Sequence, residues 1–447
     1  MGNRKLSFGA KGAITAFIAA LTLGSAGQSA AAPVAIDPHT SYVGRNFDSP
    51  VKPAEIKPLW TAAMDAPADD YMMAQGVVAT GGGKVYYIAN GKLIAVIVKS
   101  GKLAWSFGSG LRLPLLYDGG RLFSGSASGT VYAVQAATGA KLWASDVKVK
   151  GLEQLTAAAG QLFALNGDIQ SFNADNGKFQ WREDYEWPIP GPILVTGDRV
   201  IARNEESGAY TYSNLFGFDR QTGKKAWQLQ HYRFPAAVED QTLLAQPEQT
   251  LFKLAVLPAF DTIDIRTGKA MQSTVYNPEH VDLAKTDMYG LGDMWISGNR
   301  VYIAAGGKVY GYPAGLAAPD TVTRDTYSPT SLAPDTVYAA GPFDDRLYFS
   351  DGQGIYGVKL ANKSTVWYTA GLTNPIARFD LVGHGIYVAQ TDGSIVIIDA
   401  ITAKPVAGLR TAGRVFGPTL SVDGFIIVQS KGKVSAFYEP SVLKRKQ

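Results

Sequence analysis

Residues 129–143 read GTVYAVQAATGAKLW, and the same pattern stands 38 positions earlier as GKLIAVIVKSGKLAW (91–105) and 38 positions later as GDIQSFNADNGKFQW (167–181). A segment that recurs in strict register folds as one supersecondary unit, repeated so that each copy buries its hydrophobic face on its neighbours. Within each copy, alternating residues predict a strand, a turn such as Ala137-Thr138-Gly139 reverses the chain, and a short second strand ends in Trp. That is a β-hairpin.

Further copies follow at SNLFGFDRQTGKKAW (213–227) and PAFDTIDIRTGKAMQ (258–272), with degenerate ones at 307–315, 353–367, 393–407 and 432–440. Ahead of each hairpin lie two more strand-like stretches joined by turns such as Asp118-Gly119, Gly197-Asp198 and Asp351-Gly352. The unit is therefore four antiparallel strands, a sheet that cannot bury both faces alone. Stacking in a ring covers them, which predicts an all-β fold: a β-propeller of eight or nine four-stranded antiparallel blades spanning residues 56–440. The last unit holds three strands before the chain ends, and KPLW at 57–60 supplies the missing fourth, so an N-terminal strand closes the ring.

The succession of Gly, strand, Ala or Asp, Thr-Gly-Lys and closing Trp resembles the PQQ-like (pyrroloquinoline-quinone-type) propeller repeat. The five copies ending in Trp105, Trp143, Trp181, Trp227 and Trp367 are specific for that repeat, and Trp60 ends the opening one. The resemblance implies that these six tryptophans dock blade on blade, each indole N–H finding a backbone partner. Copies ending in Gln272 and Ala407 lack the tryptophan, so the docking of those blades does not follow from the motif. The same resemblance takes in quinoprotein dehydrogenases, which hold their quinone between a Trp and a disulfide of adjacent cysteines beside a calcium ion. This chain has no cysteine, and no Asp/Asn ladder of EF-hand type is present to hold calcium. No cofactor is predicted. A non-enzymatic branch helps to assemble outer-membrane barrels, and its lipid-bearing cysteine is missing here too.

Residues 1–31 place Arg4, Lys5 and Lys11 before a short apolar run that ends in small residues, the pattern of a signal peptide. The run is too short for a membrane anchor, so no transmembrane segment is expected in the mature chain. Without the leader the formal charge falls from +4 to +1, since residues 1–32 hold three basic groups and no acid. A near-neutral mature chain argues against nucleic acid as partner. Residues 32–55 read as a linker and SVLKRKQ (441–447) as a basic tail. The expected location is secreted or within the cell envelope, as a monomer.

Chemistry-bearing motifs are sparse. His39, His231, His280 and His384 are scattered without metal-ligand spacing. TGGGK (80–84) lacks the Ser or Thr and the helix of a phosphate loop, and PFDDRLYFSDGQG (342–354) reads as a polar hairpin rather than a metal site. What stands out is the asymmetry of the connections. Hairpin turns on one face of the ring are short, while RNEESGAYTYSN (203–214), HYRFPAAVED (231–240) and YNPEHVDLAKTDMYGLGD (276–293) fall on the other, above adjacent units. Long loops on a rigid frame are where function concentrates. They offer Tyr210, Tyr212, His231, Tyr232, Arg233, Glu279, His280, Asp287 and Tyr289, a set suited to contact with a protein or an envelope polymer. The expected function is a non-enzymatic, protein-binding or assembly scaffold, with a glycan-binding protein and a quinone-dependent dehydrogenase as alternatives.

Overall fold

Every repeat pairs as one antiparallel sheet, and there are nine such sheets of four strands each. The computed structural model describes residues 53–66, 76–183, 188–207, 211–250, 254–286, 289, 292–330, 333–411 and 413–444. The expected signal peptide, most of the expected linker, Tyr210, Asp287, His39 and the last three residues of the tail lie outside the described residues. Blade two shows the pattern: Leu111–Asp118, Arg121–Ser126, Val131–Gln135 and Lys141–Ala144 pair in that order from first to last strand. The ring has nine blades, which settles the choice between eight and nine.

The ninth sheet consists of Leu420–Val422, Phe425–Ser430 and Lys433–Tyr438, completed by Trp60–Ala63 from the other end of the chain. Trp60 pairs with Ala436 and Ala63 with Lys433. Just upstream, Ala54 and Ile56 bond to Gly408 through two 2.9 Å backbone hydrogen bonds, so the strap runs along the outer strand of blade eight before it enters blade nine. At the C-terminus Ser441–Leu443 forms one turn of 3-10 helix that buries Leu443.

The hydrophobic core is divided among the junctions between blades. Each of the nine apolar clusters draws side chains from two neighbouring blades, as where Phe123, Ala133 and Trp143 of blade two meet Leu162, Phe172 and Ala174 of blade three. Middle strands, covered on both faces, are buried throughout; Gln161–Leu165 is an example. Last strands are covered on one face, so Lys141–Ala144 buries only its tryptophan.

Five tryptophans share one geometry. The indole N–H of Trp60, Trp105, Trp143, Trp181 and Trp227 donates to the carbonyl of Val98, Ala136, Ala174, Arg220 and Ile265 in the following blade, at 2.7–3.1 Å. The ring lies on the turn glycine of that blade: a Cβ on Gly177 would fall 2.4 Å from Trp143, which explains why this position, at φ +73°, holds glycine.

Trp367 departs from the expected docking role: it is 46% exposed. In blades one to four a β-bulge shifts the register so that the Trp pairs with the small residue at the middle of the third strand, Ala133 with Trp143 for instance. Blade seven has no bulge there: Gly357 pairs with Val366, and Trp367 falls opposite Tyr356. With a period of two, a one-residue slip turns the side chain to the other face. Tyr368 docks instead, fully buried, its hydroxyl donating to the Ala400 carbonyl at 2.5 Å. Blade six likewise buries Tyr327 against Leu347 and Val358 of blade seven. At blade eight, Ala407 is covered by Ile56 from the strap and Leu443 from the terminal turn.

Candidate functional site

Two of the expected long connections differ in form from the sequence reading. Residues 203–214 are mainly an extension of the middle strands of blade four, Arg199–Ser207 and Thr211–Asp219, paired out to Ser207 and Thr211. The connection 246–258 between Thr242–Ala245 and Ala259–Asp264 is equally long and on the same rim, and the sequence reading passed over it. The opposite rim is also less uniform than expected, because residues 314–324 of blade six form a long turn containing the 3-10 segment Pro319–Thr321.

On the long-connection rim the extended hairpin of blade four carries a polar ladder. Asn204 and Asn214 are fully buried and bonded to each other at 3.2 Å, and the Asn214 amide also donates to Glu206 at 2.7 Å. Tyr212 donates to Glu206 at 2.6 Å and stacks at a tilt beside His231, ring centroids 6.0 Å apart. Buried amides of this kind persist only when each is satisfied, which makes the hairpin a stiff platform. Beside it Arg203 pairs with Glu248 at 2.8 Å and Glu205 at 3.1 Å and donates to the Tyr232 carbonyl, while Ser213 bonds Glu248. Tyr232 itself donates to Asp261 at 2.6 Å, and burial, reinforced by that carboxylate, pushes its phenol well above the ordinary range.

A second group forms around Glu279. It accepts from Tyr310 at 2.7 Å and Tyr289 at 3.2 Å, with Lys308 at 3.9 Å. Burial, and then the adjacent Glu279 charge, pushes the Tyr289 phenol up to about 12. His280, at φ +54°, faces Arg324 at 3.3 Å, and the Arg324 guanidinium lies over the Tyr310 ring at 5.5 Å. A shallow depression of ≈ 460 Å³ lies between Glu279, Tyr289 and Asp293.

The two groups are tied together by the connections themselves. Arg233 forms an ion pair with Asp293, its backbone N–H donates to Gln246, and the Gln246 amide donates to the Gly292 carbonyl at 2.7 Å. Tyr289 bridges to Ala255. Of the residues singled out in the sequence, Tyr212, His231 and Tyr232 thus stand in one group, Glu279, His280 and Tyr289 in the other, and Arg233 joins them. Glu248, Arg203, Tyr310, Arg324 and Asp293 were missed. Tyr310 sits inside a strand, where sequence alone gives no reason to look past packing, Arg203 and Asp293 stand at the ends of segments read as loops, and Glu248 lies in the connection that was passed over.

Among the described residues no group of His, Asp and Glu is arranged to hold a metal ion, and no helix is long and apolar enough to cross a membrane. A family model described as outer membrane protein assembly factor BamB matches residues 89–312, half of the chain. No curated protein matches the sequence. Among solved structures, BamB from Moraxella catarrhalis is 16% identical with a TM-score of 0.47, over 72% of this chain and 93% of that one. The computationally designed Ika8 protein is 13% identical with a TM-score of 0.47, over 84% and 98%. The quinohemoprotein alcohol dehydrogenase ADHIIG from Pseudomonas putida HK5 is 13% identical with a TM-score of 0.45, over 89% and 79%.

Proposed function

We propose, starting from the fact that this chain belongs to the PQQ-like β-propeller repeat family, that it is a non-enzymatic binding scaffold of the cell envelope that docks a protein partner on the rim of blades four to six. The family model is named for an assembly factor of outer-membrane proteins, and a scaffold role extends that description to this chain. The observation that carries the reading is the concentration of long connections on one rim of three adjacent blades, cross-linked by Arg233–Asp293 and the Gln246–Gly292 bond. Loops of this length cost closure entropy, and fixing them further with ion pairs is of use when their shape matters. Half-buried tyrosines beside paired charges are also the side chains that dominate protein interfaces.

The test is capture of partners from the native envelope with the mature chain as bait. Changing Tyr212, Arg233 and His280 together to Ala is expected to abolish capture while the far-ultraviolet circular dichroism at room temperature stays that of the parent. Lys141→Ala with Lys178→Ala, on the opposite rim, is expected to retain it. Loss of capture by the lysine pair and its survival in the triple variant refute the assignment.

A further inference from the structure

Eight of the nine blade junctions have an identifiable occupant at the docking position: five indoles, Tyr327, Tyr368, and the pair Ile56 and Leu443. The junction between blades five and six has none at that position; its buried aromatic, Tyr276, packs on Tyr312 of blade six four residues further along the chain. Thr262 pairs with Gln272 across the same bulge that pairs Ala133 with Trp143, so Gln272 stands where the tryptophan would be, and it is exposed. In its place is a cleft of ≈ 490 Å³ lined by residues of both blades.

The walls of this cleft are those of a filled slot. Leu244, opposite Thr262, holds the position that Phe123 holds opposite Ala133. Ile296 and Val301 hold the positions of Ala157 and Leu162 in blade three. Ala314, whose N–H bonds the preceding turn at Asn299, corresponds to Ala136 and Ala174, whose N–H groups bond Gly120 and Gly160 and whose carbonyls accept an indole N–H.

We propose that this cleft is a binding site for a tryptophan side chain presented by a partner polypeptide, which would complete the junction in trans as Trp227 completes the preceding one in cis. The slot itself identifies the occupant: its equivalents take an indole, with the N–H on the carbonyl that Ala314 supplies here. The cleft opens beside the turns Ser297–Arg300 and 314–324, on the rim away from the long connections, so it is a second site, independent of the one proposed above.

The experiment titrates 5-fluoro-N-acetyltryptophanamide into the mature chain and follows it by fluorine NMR, with N-acetylleucinamide as competitor. The expected result is saturable binding at one site that the leucine amide does not displace. Gln272→Trp is expected to weaken the probe roughly tenfold or more, by supplying the missing indole in cis, and to raise Tm. Thr274→Phe, which faces the cleft from the same strand, is expected to compete in the same way and serves if the tryptophan variant misfolds. The proposal is overturned if the parent shows no saturable binding, if leucine amide competes equally, or if a folded filled variant binds the probe as well as the parent does.

Discussion

Replacing Trp143 by Ala tests the account of how blades adhere. Trp143 is 6% exposed, donates its indole N–H to Ala174 at 2.9 Å and rests on the turn glycine Gly177 and beside the Phe123 ring, centroids 5.8 Å apart. Truncating a buried large aromatic costs about 3–5 kcal/mol through lost transfer energy and an incompletely collapsed cavity. The Ala174 carbonyl keeps a second donor, the Arg121 guanidinium at 3.0 Å, so no unsatisfied acceptor is left to add to this. A figure near 4 kcal/mol is expected, from the lost transfer energy and the cavity alone. Trp367→Ala is the control. It removes the same side chain from the same place in the repeat, but the ring is 46% exposed and touches Tyr356 edge-on, so its loss is expected to stay within about 1 kcal/mol. Tyr368→Phe, which removes a buried hydroxyl bonded to Ala400, falls between them at about 1 kcal/mol. Urea unfolding followed by far-ultraviolet circular dichroism reads all three. Equal costs for Trp143→Ala and Trp367→Ala would refute the docking argument.

A chain beginning at residue 70 lacks Trp60–Ala63 and leaves the edge of Lys433–Tyr438 unpaired; it is expected to aggregate or melt early, whereas one beginning at residue 50 behaves as the mature protein, and equal melts would dismiss the closure. Acid stability depends on the hairpin turns. The Thr222 hydroxyl holds the Asp219 carboxyl below its usual range, outweighing a smaller burial effect with the help of two backbone N–H groups, and Thr267 does the same for Asp264. A carboxyl whose folded value is depressed contributes stability that is complete above about pH 4 and disappears as pH falls through the folded value. Asp219→Asn is therefore expected to lower Tm near neutrality, and the gap from the parent to shrink below about pH 4; a gap independent of pH refutes this.

The ring, its four-stranded unit and its closure were legible because each rests on period: two within strands and 38 between the best copies. The docking of Trp60, Trp105, Trp143, Trp181 and Trp227 was legible for the same reason. Trp367 misled because its distance from the preceding strand matches that of Trp143, while the bulge that decides which way the residue faces leaves no trace in spacing. The neighbouring Tyr368 was the one available hint. The candidate site was legible in location, from loop length, and illegible in its wiring. Arg203, Glu248 and Asp293 owe their partners to residues 45 to 60 positions away, and such pairings depend on blade-to-blade geometry that no local pattern encodes. Gln272 was recognised as a missing tryptophan, but whether neighbours would collapse into the gap is a question of packing. At blade eight they do, through Ile56 and Leu443, and at blade five they do not.

The ninth blade also sets an order of events in time. Its outer strand precedes the other eight blades in the sequence and is made before them, whereas the strand it pairs with, Lys433–Tyr438, follows them all. A span of about 370 residues, from Ala63 to Lys433, lies between them, and pairing at such separation is the slow, entropically costly kind. Until then Trp60 has no sheet to hold it, although its acceptor in blade one, Val98, is already in place. The indole that ties the end of the ring to its beginning thus depends on both, and the ring is complete only when blade nine has closed on Trp60–Ala63.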